Sequence, residues 1–242
     1  MSASGSQTEF NFDDFDTDVS RKDEDAVIEA IAESINRMRD QIDDDDLDGI
    51  LRSTPAPYTF KSKYTTDQLD PEPFTKARVI EPLLETLGYD DYGYEAGDFS
   101  DTRGEQADYA ISLRDVASVD SSRLLIEAEP LNKPLEDRGH GLDQVKSWLS
   151  QREFESDFGF ATDGLRWVFV RYDPDSYTHN VIEEIDLQPV FLALFENQVG
   201  AREDLSKVIF DADRERVLAS FDRYDEAGGT DRGAVEVALE LR

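Results

Sequence analysis

Apolar residues recur every three or four positions from Asp23 to about Ile42, at Val27, Ile28, Ile31, Ile35, Met38 and Ile42. That spacing sets them on one face of an amphipathic helix. The run Asp43-Asp44-Asp45-Asp46 follows. Acids at a helix C-terminus oppose the dipole, so the helix is expected to stop there and the run to be a solvated turn. The run lacks the ligand spacing and the glycine of an EF-hand loop. Residues 53–74 carry Pro55, Pro57, Pro71 and Pro73 and read as a linker or surface loop. A second helix is predicted over Thr75–Gly88, with Ala77, Ile80, Leu83, Leu84 and Leu87 on one face and Gly88 as its C-cap. Pro82 interrupts this helix and should kink it or open a fresh first turn.

Downstream, the period changes from helical to alternating. Tyr92–Ala96, Gln106–Leu113 and Arg123–Glu129 read as strands, with Arg114–Ser122 as the turn between the last two. Residues 138–153 return to helical spacing, with Leu142, Val145 and Leu149 facing inward. Phe158–Thr162 and Arg166–Tyr172 form a predicted hairpin through Asp163-Gly164. Asn180–Leu187 is a further strand, and Pro189–Asn197 and Asp211–Tyr224 are helices. Ala234–Leu241 alternates and reads as a strand or a frayed helix. Residues 1–22 are small, polar and acidic, interrupted by Phe10, Phe12 and Phe15, and are expected to be disordered. The order of elements predicts a mixed α/β domain around a central sheet.

Composition narrows the chemistry. The 242 residues carry 56 Asp and Glu against 25 Lys and Arg, a net charge of −31. With 14 Phe, 9 Tyr and 2 Trp the chain can still furnish a core, unlike a disordered acidic tail. Asp outnumbers Glu, Arg outnumbers Lys, and the acids are spread along the whole length. This is the pattern expected of a protein from a salt-accumulating cell, because at molar salt the Debye length falls to about 3 Å and self-repulsion is screened. An acidic mimic of DNA is the alternative. The chain has no Cys, which excludes disulfides, thiolate metal sites and Cys nucleophiles. Two His residues, His140 and His179, exclude a His-rich metal site. No membrane-spanning stretch or apolar signal core is apparent, so the expected location is the cytoplasm.

One constellation carries chemistry. Asp108 opens the strand around Tyr109-Ala110-Ile111, and Glu127-Ala128-Glu129 closes the strand Leu124-Leu125-Ile126. Alternation sets Leu125, Glu127 and Glu129 on one face, with the two acids roughly 7 Å apart along the strand, and leaves Leu124, Ile126 and Ala128 to pack on the other. Should the two strands pair in register, Asp108 joins them. Clustered carboxylates repel one another and suit a hard divalent cation. Glu81, on the second helix, is a candidate further ligand. Trp148 and Trp167 read as core aromatics, and Arg166 and Arg171 as surface residues.

Over about residues 74–173 the chain resembles the PD-(D/E)XK nuclease superfamily. More narrowly it is similar to the N-terminal nuclease domain of type I restriction enzyme R subunits. Lys76-Ala77-Arg78-Val79-Ile80-Glu81-Pro82-Leu83-Leu84, ending in Leu87-Gly88-Tyr89, looks like the family's first helix. Asp108-Tyr109-Ala110 looks like its Asp strand, and Glu127-Ala128-Glu129 stands where the family has Glu-Ala-Lys. Gln144 and Trp148 fall where that subgroup carries a Gln-x-x-x-Tyr helix motif. Thr162-Asp163-Gly164, then Trp167 and Phe169, match the closing hairpin.

The resemblance implies a restriction-endonuclease-like α/β core of helix, three-stranded meander, helix and further strands, with helical N- and C-terminal extensions. The expected division is a disordered acidic tail over 1–22, a helical extension over 23–53, the nuclease-like domain over 54–200 and a second helical extension over 201–242. It implies a DNA endonuclease dependent on Mg²⁺ or Mn²⁺, with Asp108, Glu127 and Glu81 as metal ligands and Asp108, Glu127, Glu129, Gln144 and Lys146 as catalytic residues. DNA is the expected partner, with recognition supplied by a separate restriction-modification subunit or by none. Glu129 departs from the family's Lys, and Lys133 and Lys146 are the candidates to restore the missing charge. Glu129→Lys, which returns the usual pattern, is expected to keep some activity. The departure also leaves open a silent nuclease-fold module that binds DNA or a protein partner.

Overall fold

The computed structural model describes residues 24–53, 61–64, 70–89, 92–96, 107–112, 123–151 and 156–196. The tail over 1–22, the turn Arg114–Ser122, the helix Asp211–Tyr224 and the segment Ala234–Leu241 lie outside the described residues. Six strands form one sheet in the order β1-β2-β3-β4-β5-β6. They are β1 (Tyr92–Ala96), β2 (Ala107–Ser112), β3 (Arg123–Ala128), β4 (Phe158–Thr162), β5 (Arg166–Asp173) and β6 (Thr178–Asp186). Neighbours run antiparallel except β3 and β4, which are parallel. A parallel pair needs a crossover, and the helix α5 (Leu142–Ser150) provides it.

The remaining helices are α1 (Glu24–Arg39), α2 (Asp44–Arg52), α3 (Pro71–Thr75), a π-helical turn (Lys76–Ile80), α4 (Glu81–Thr86) and α6 (Gln188–Phe195). Helix α2 departs from the sequence expectation. The four-Asp run starts a helix as well as following one. Asp43 is the N-cap, and Asp44, Asp45 and Asp46 occupy the first turn, where the dipole favours negative charge. Leu47, Ile50 and Leu51 then bury one face. The helix predicted from Thr75 also begins earlier, at Pro71, because Pro is well suited to a first turn.

The π-helical turn resolves the problem of Pro82. Helical dihedral angles run without a break from Lys76 through Ile80 to Glu81, and the Glu81 N–H bonds back five residues to the Lys76 carbonyl. Pro82 therefore falls in the first turn of α4, where its missing N–H costs nothing.

Each face of the sheet has its own core. Leu124, Ile126, Ala128, Phe158, Phe160, Trp167 and Phe169 pack with Val79, Ile80, Leu83 and Leu84 and with apolar residues of α1, α2 and α6. Phe160 stacks on Trp167 with ring centroids 5.1 Å apart. The segment predicted as an N-terminal extension is thus part of this core, through Val27, Ile31, Ile35, Met38 and Leu47. On the other face Leu125, Ala161, Val168 and Val170 pack against Val145, Trp148 and Leu149 of α5. Both Trp residues are core aromatics.

The β4–β5 hairpin turns at Asp163-Gly164. Asp163 Oδ1 accepts the N–H groups of Leu165 at 2.9 Å and Arg166 at 2.6 Å. Gly164 takes φ +85°, and a Cβ there would lie 2.8 Å from Val79 Cγ1, so the position admits only glycine without displacement. Among the described residues no helix is long and apolar enough to cross a membrane.

Candidate active site

Strand register brings the first two acids together. Tyr109 pairs with Ile126, so the next step along both strands sets Asp108 beside Glu127. The two carboxyls are near enough for the Asp108 charge to act on Glu127. Glu127 lies on the α5 side of the sheet, since Ile126 and Ala128 face the opposite core. Asp108 Oδ2 also accepts the Ala128 N–H at 2.8 Å. Its Oδ1 accepts from the Lys76 ammonium, which donates as well to Glu72 Oε1 at 2.8 Å.

These contacts set the charges. Glu127 is 7% exposed. Burial first, then the charges of Asp108 and Glu129, push its pKa up to about 10. Glu127 therefore carries a proton at neutral pH. Burial also raises Asp108, but the Lys76 ammonium and the Ala128 N–H hold it back. Burial pulls Lys76 down, yet hydrogen bonds to Asp108 and Glu72 outweigh it and keep the ammonium above the ordinary lysine value.

Glu129 is more deeply buried and more fully engaged. Its Oε1 accepts the Gly141 N–H at 2.7 Å, and its Oε2 lies 2.6 Å from Lys133 Nζ. Gly141 caps α5 with φ +45°, and a Cβ there would lie 2.6 Å from the Leu135 carbonyl oxygen. The carboxylate of Glu129 thus anchors the start of α5, where an anion is favoured. This changes the expectation for Glu129→Lys. The substitution sets two ammonium groups together and strips the buried Gly141 N–H of its acceptor. We expect it to destabilise the fold by about 2–4 kcal/mol, read as a lowered midpoint in thermal melts. A variant as stable as the wild type removes this anchoring role.

The other sequence candidates lie elsewhere. Helix α5 runs from Gly141 beside Glu129 towards β6, where Ser150 Oγ meets His179 Nε2 at 3.1 Å. Lys146 belongs to that end: His179 feels its charge. Among the described residues no ion pair joins Lys146 to Asp108 or Glu129. Gln144 is half-buried on α5, and its side chain makes no hydrogen bond to the described residues. Glu81 Oε1 accepts from the Tyr109 hydroxyl at 3.2 Å. That bond ties Glu81 to a side chain of the larger core. Among the described residues no group of three His, Cys, Asp or Glu side chains is arranged to hold a metal. The acid pair nonetheless suits Mg²⁺, which takes one or two carboxylates and fills its other positions with water and phosphate oxygens.

Lys76 is the residue that sequence reasoning passed over. The signal was present: it stands three and four residues before Val79 and Ile80, on the stripe that packs on the sheet. A charge at the end of an apolar stripe marks a place where the stripe meets something polar.

A six-stranded mixed sheet with a β3–α5–β4 crossover and an Asp–Glu pair on adjacent strands has the architecture of a restriction-endonuclease-like α/β core. Over 142 residues, 58% of its length, the chain is 39% identical to a protein of Methanocaldococcus jannaschii named "Putative type II restriction enzyme and methyltransferase". The matched stretch is 11% of that protein. No family model matches the chain. No solved structure matches it.

Proposed function

We propose that this chain is a metal-dependent endodeoxyribonuclease of a restriction system, or of a related DNA-defence or processing system, adapted to a salt-rich cell. The observation that carries the proposal is the pair Asp108–Glu127, set side by side on adjacent strands, with Glu127 buried and its pKa pushed up to about 10. Perturbed carboxyls gathered in this way are what a cation site needs. The similarity to a protein named as a restriction enzyme supports DNA as the substrate. The order of motifs from Lys76 to Phe169 supports the narrower PD-(D/E)XK reading, with an R-subunit-like nuclease domain.

In this reading Asp108 and Glu127 hold Mg²⁺ or Mn²⁺. A dication bound there polarises the scissile phosphate and lowers the pKa of a bound water. Glu127 must give up its proton to serve as a ligand, so binding strengthens as pH rises. Glu129, through Gly141 and Lys133, keeps the N-terminus of α5 fixed beside the pair.

A silent module that binds DNA or a protein partner is the second reading. Its support is that Lys76 and Lys133 already balance Asp108 and Glu129, as an inert descendant of a nuclease would require. Plasmid DNA incubated with the protein in molar KCl, with Mg²⁺ or Mn²⁺ and then with chelator, separates the two. We expect nicking or cutting that stops with the chelator. No cleavage at any salt or metal concentration, with no calorimetric metal binding, supports the silent module and removes the nuclease.

A further inference from the structure

We propose that Lys76 supplies the catalytic ammonium that position 129 does not, contacting the scissile phosphate from the π-helical turn. The inference rests on the nuclease reading above.

Three observations point to it. First, Lys76 is the ammonium bonded directly to Asp108, one of the two proposed ligands. Second, its backbone is fixed at the end of β3. Its neighbour Thr75 is fully buried, donates its hydroxyl to the Pro71 carbonyl at 2.7 Å and accepts the Leu131 N–H at 3.0 Å. Its carbonyl accepts the five-residue bond that defines the π-helical turn, a departure from α-helix that recurs at functional sites. Third, neither of the other two candidate lysines is paired with Asp108 among the described residues. Lys133 is 2.6 Å from Glu129 Oε2 and 3.1 Å from His140 Nδ1, and Lys146 stands beside His179.

The chemistry needs such a charge. In phosphodiester hydrolysis the oxygen of water bonds to phosphorus and the bond from phosphorus to one sugar oxygen breaks. The leaving sugar oxygen takes up a proton, and the spare proton of the water passes to solvent. Negative charge grows on the phosphate oxygens as this happens, and a positioned ammonium stabilises it. Lys76 exchanges Asp108 for a phosphate oxygen when Asp108 is taken up as a ligand, while Glu72 keeps hold of its other side.

The test uses the full chain, supercoiled plasmid in molar KCl and Mn²⁺, with Asp108→Ala in parallel. Lys76→Met is expected to cut cleavage about 100-fold or more, the usual cost of removing one transition-state donor. Lys76→Arg should keep part of the rate. Calorimetry should show Mn²⁺ binding to Lys76→Met as tightly as to the wild type, or more tightly, because a competing cation has left Asp108. A merely structural lysine would not separate lost cleavage from retained metal. Should Lys76→Met fail to melt cooperatively, Lys76→Gln takes its place. Cleavage by the variant within threefold of wild type, with Asp108→Ala inactive, overturns the role of Lys76 and leaves the nuclease standing. Loss of Mn²⁺ binding together with cleavage makes Lys76 a prop of the acid pair and also overturns it. A wild type that never cleaves overturns both proposals.

Discussion

Asp108→Ala and Glu127→Gln are each expected to lower metal-dependent plasmid cleavage by about a thousandfold or more, equivalent to about 4 kcal/mol of barrier. Each removes one carboxylate of a two-carboxylate site, and Asp108 and Glu127 are the acids set side by side across β2 and β3. Glu127→Gln is the cleaner variant. Its amide keeps the shape of the side chain and is neutral, as the protonated Glu127 is, so the fold should survive while the ligand charge is gone. Asp108→Ala loses more, because the Ala128 N–H and the Lys76 ammonium both lose their acceptor. Melting curves should accompany the rates. Cleavage that survives Glu127→Gln sinks the assignment of this pair, whatever else the protein does.

The second large effect is on stability, and its sign follows from Glu127. In the fold this group keeps its proton to about pH 10, whereas unfolded it loses it near 4.5. Between those values the native state binds more protons than the unfolded one, so stability falls as pH rises, by about 1.4 kcal/mol per unit for one full proton. Below the unfolded value the group makes no difference. Glu127→Gln cannot ionise and lacks this dependence. With chelator present, raising the pH from 5 to 8 should therefore favour the variant over wild type by up to about 4 kcal/mol. Thermal melts of both proteins across that range, in molar KCl, measure it. Parallel pH profiles would show that Glu127 is already ionised in the fold. Adding Mn²⁺ at pH 8 should restore the wild type but not the variant, since a ligand that binds only the native state stabilises it.

Much of this architecture was legible beforehand. The alternation in Arg123–Ala128 placed Ile126 and Glu127 on opposite faces, and the structure keeps them so. The Asp163-Gly164 signal gave the β4–β5 hairpin, because the turn chemistry is local to those residues. Local signals misled where one residue serves two elements. The four-Asp run was read against the helix before it, while its better use is in the first turn of α2. Pro82 looked like a flaw because the expected ladder was α-helical, and a π-helical turn removes the conflict.

The acids themselves, their strands and the faces they occupy were determined by the sequence alone, since period-two alternation and propensity act within a few residues. Their partners were decided only by tertiary structure. Lys76 reaches Asp108 across 32 residues of chain, and the Gly141 N–H meets Glu129 across 12. Glu81, which looked like a ligand, accepts instead from the Tyr109 hydroxyl. Charge pairing depends on which distant surfaces the two cores press together, and no local pattern encodes that. The same packing gives Glu127 its raised pKa, because burial and the nearness of two other carboxyls are properties of the assembled sheet.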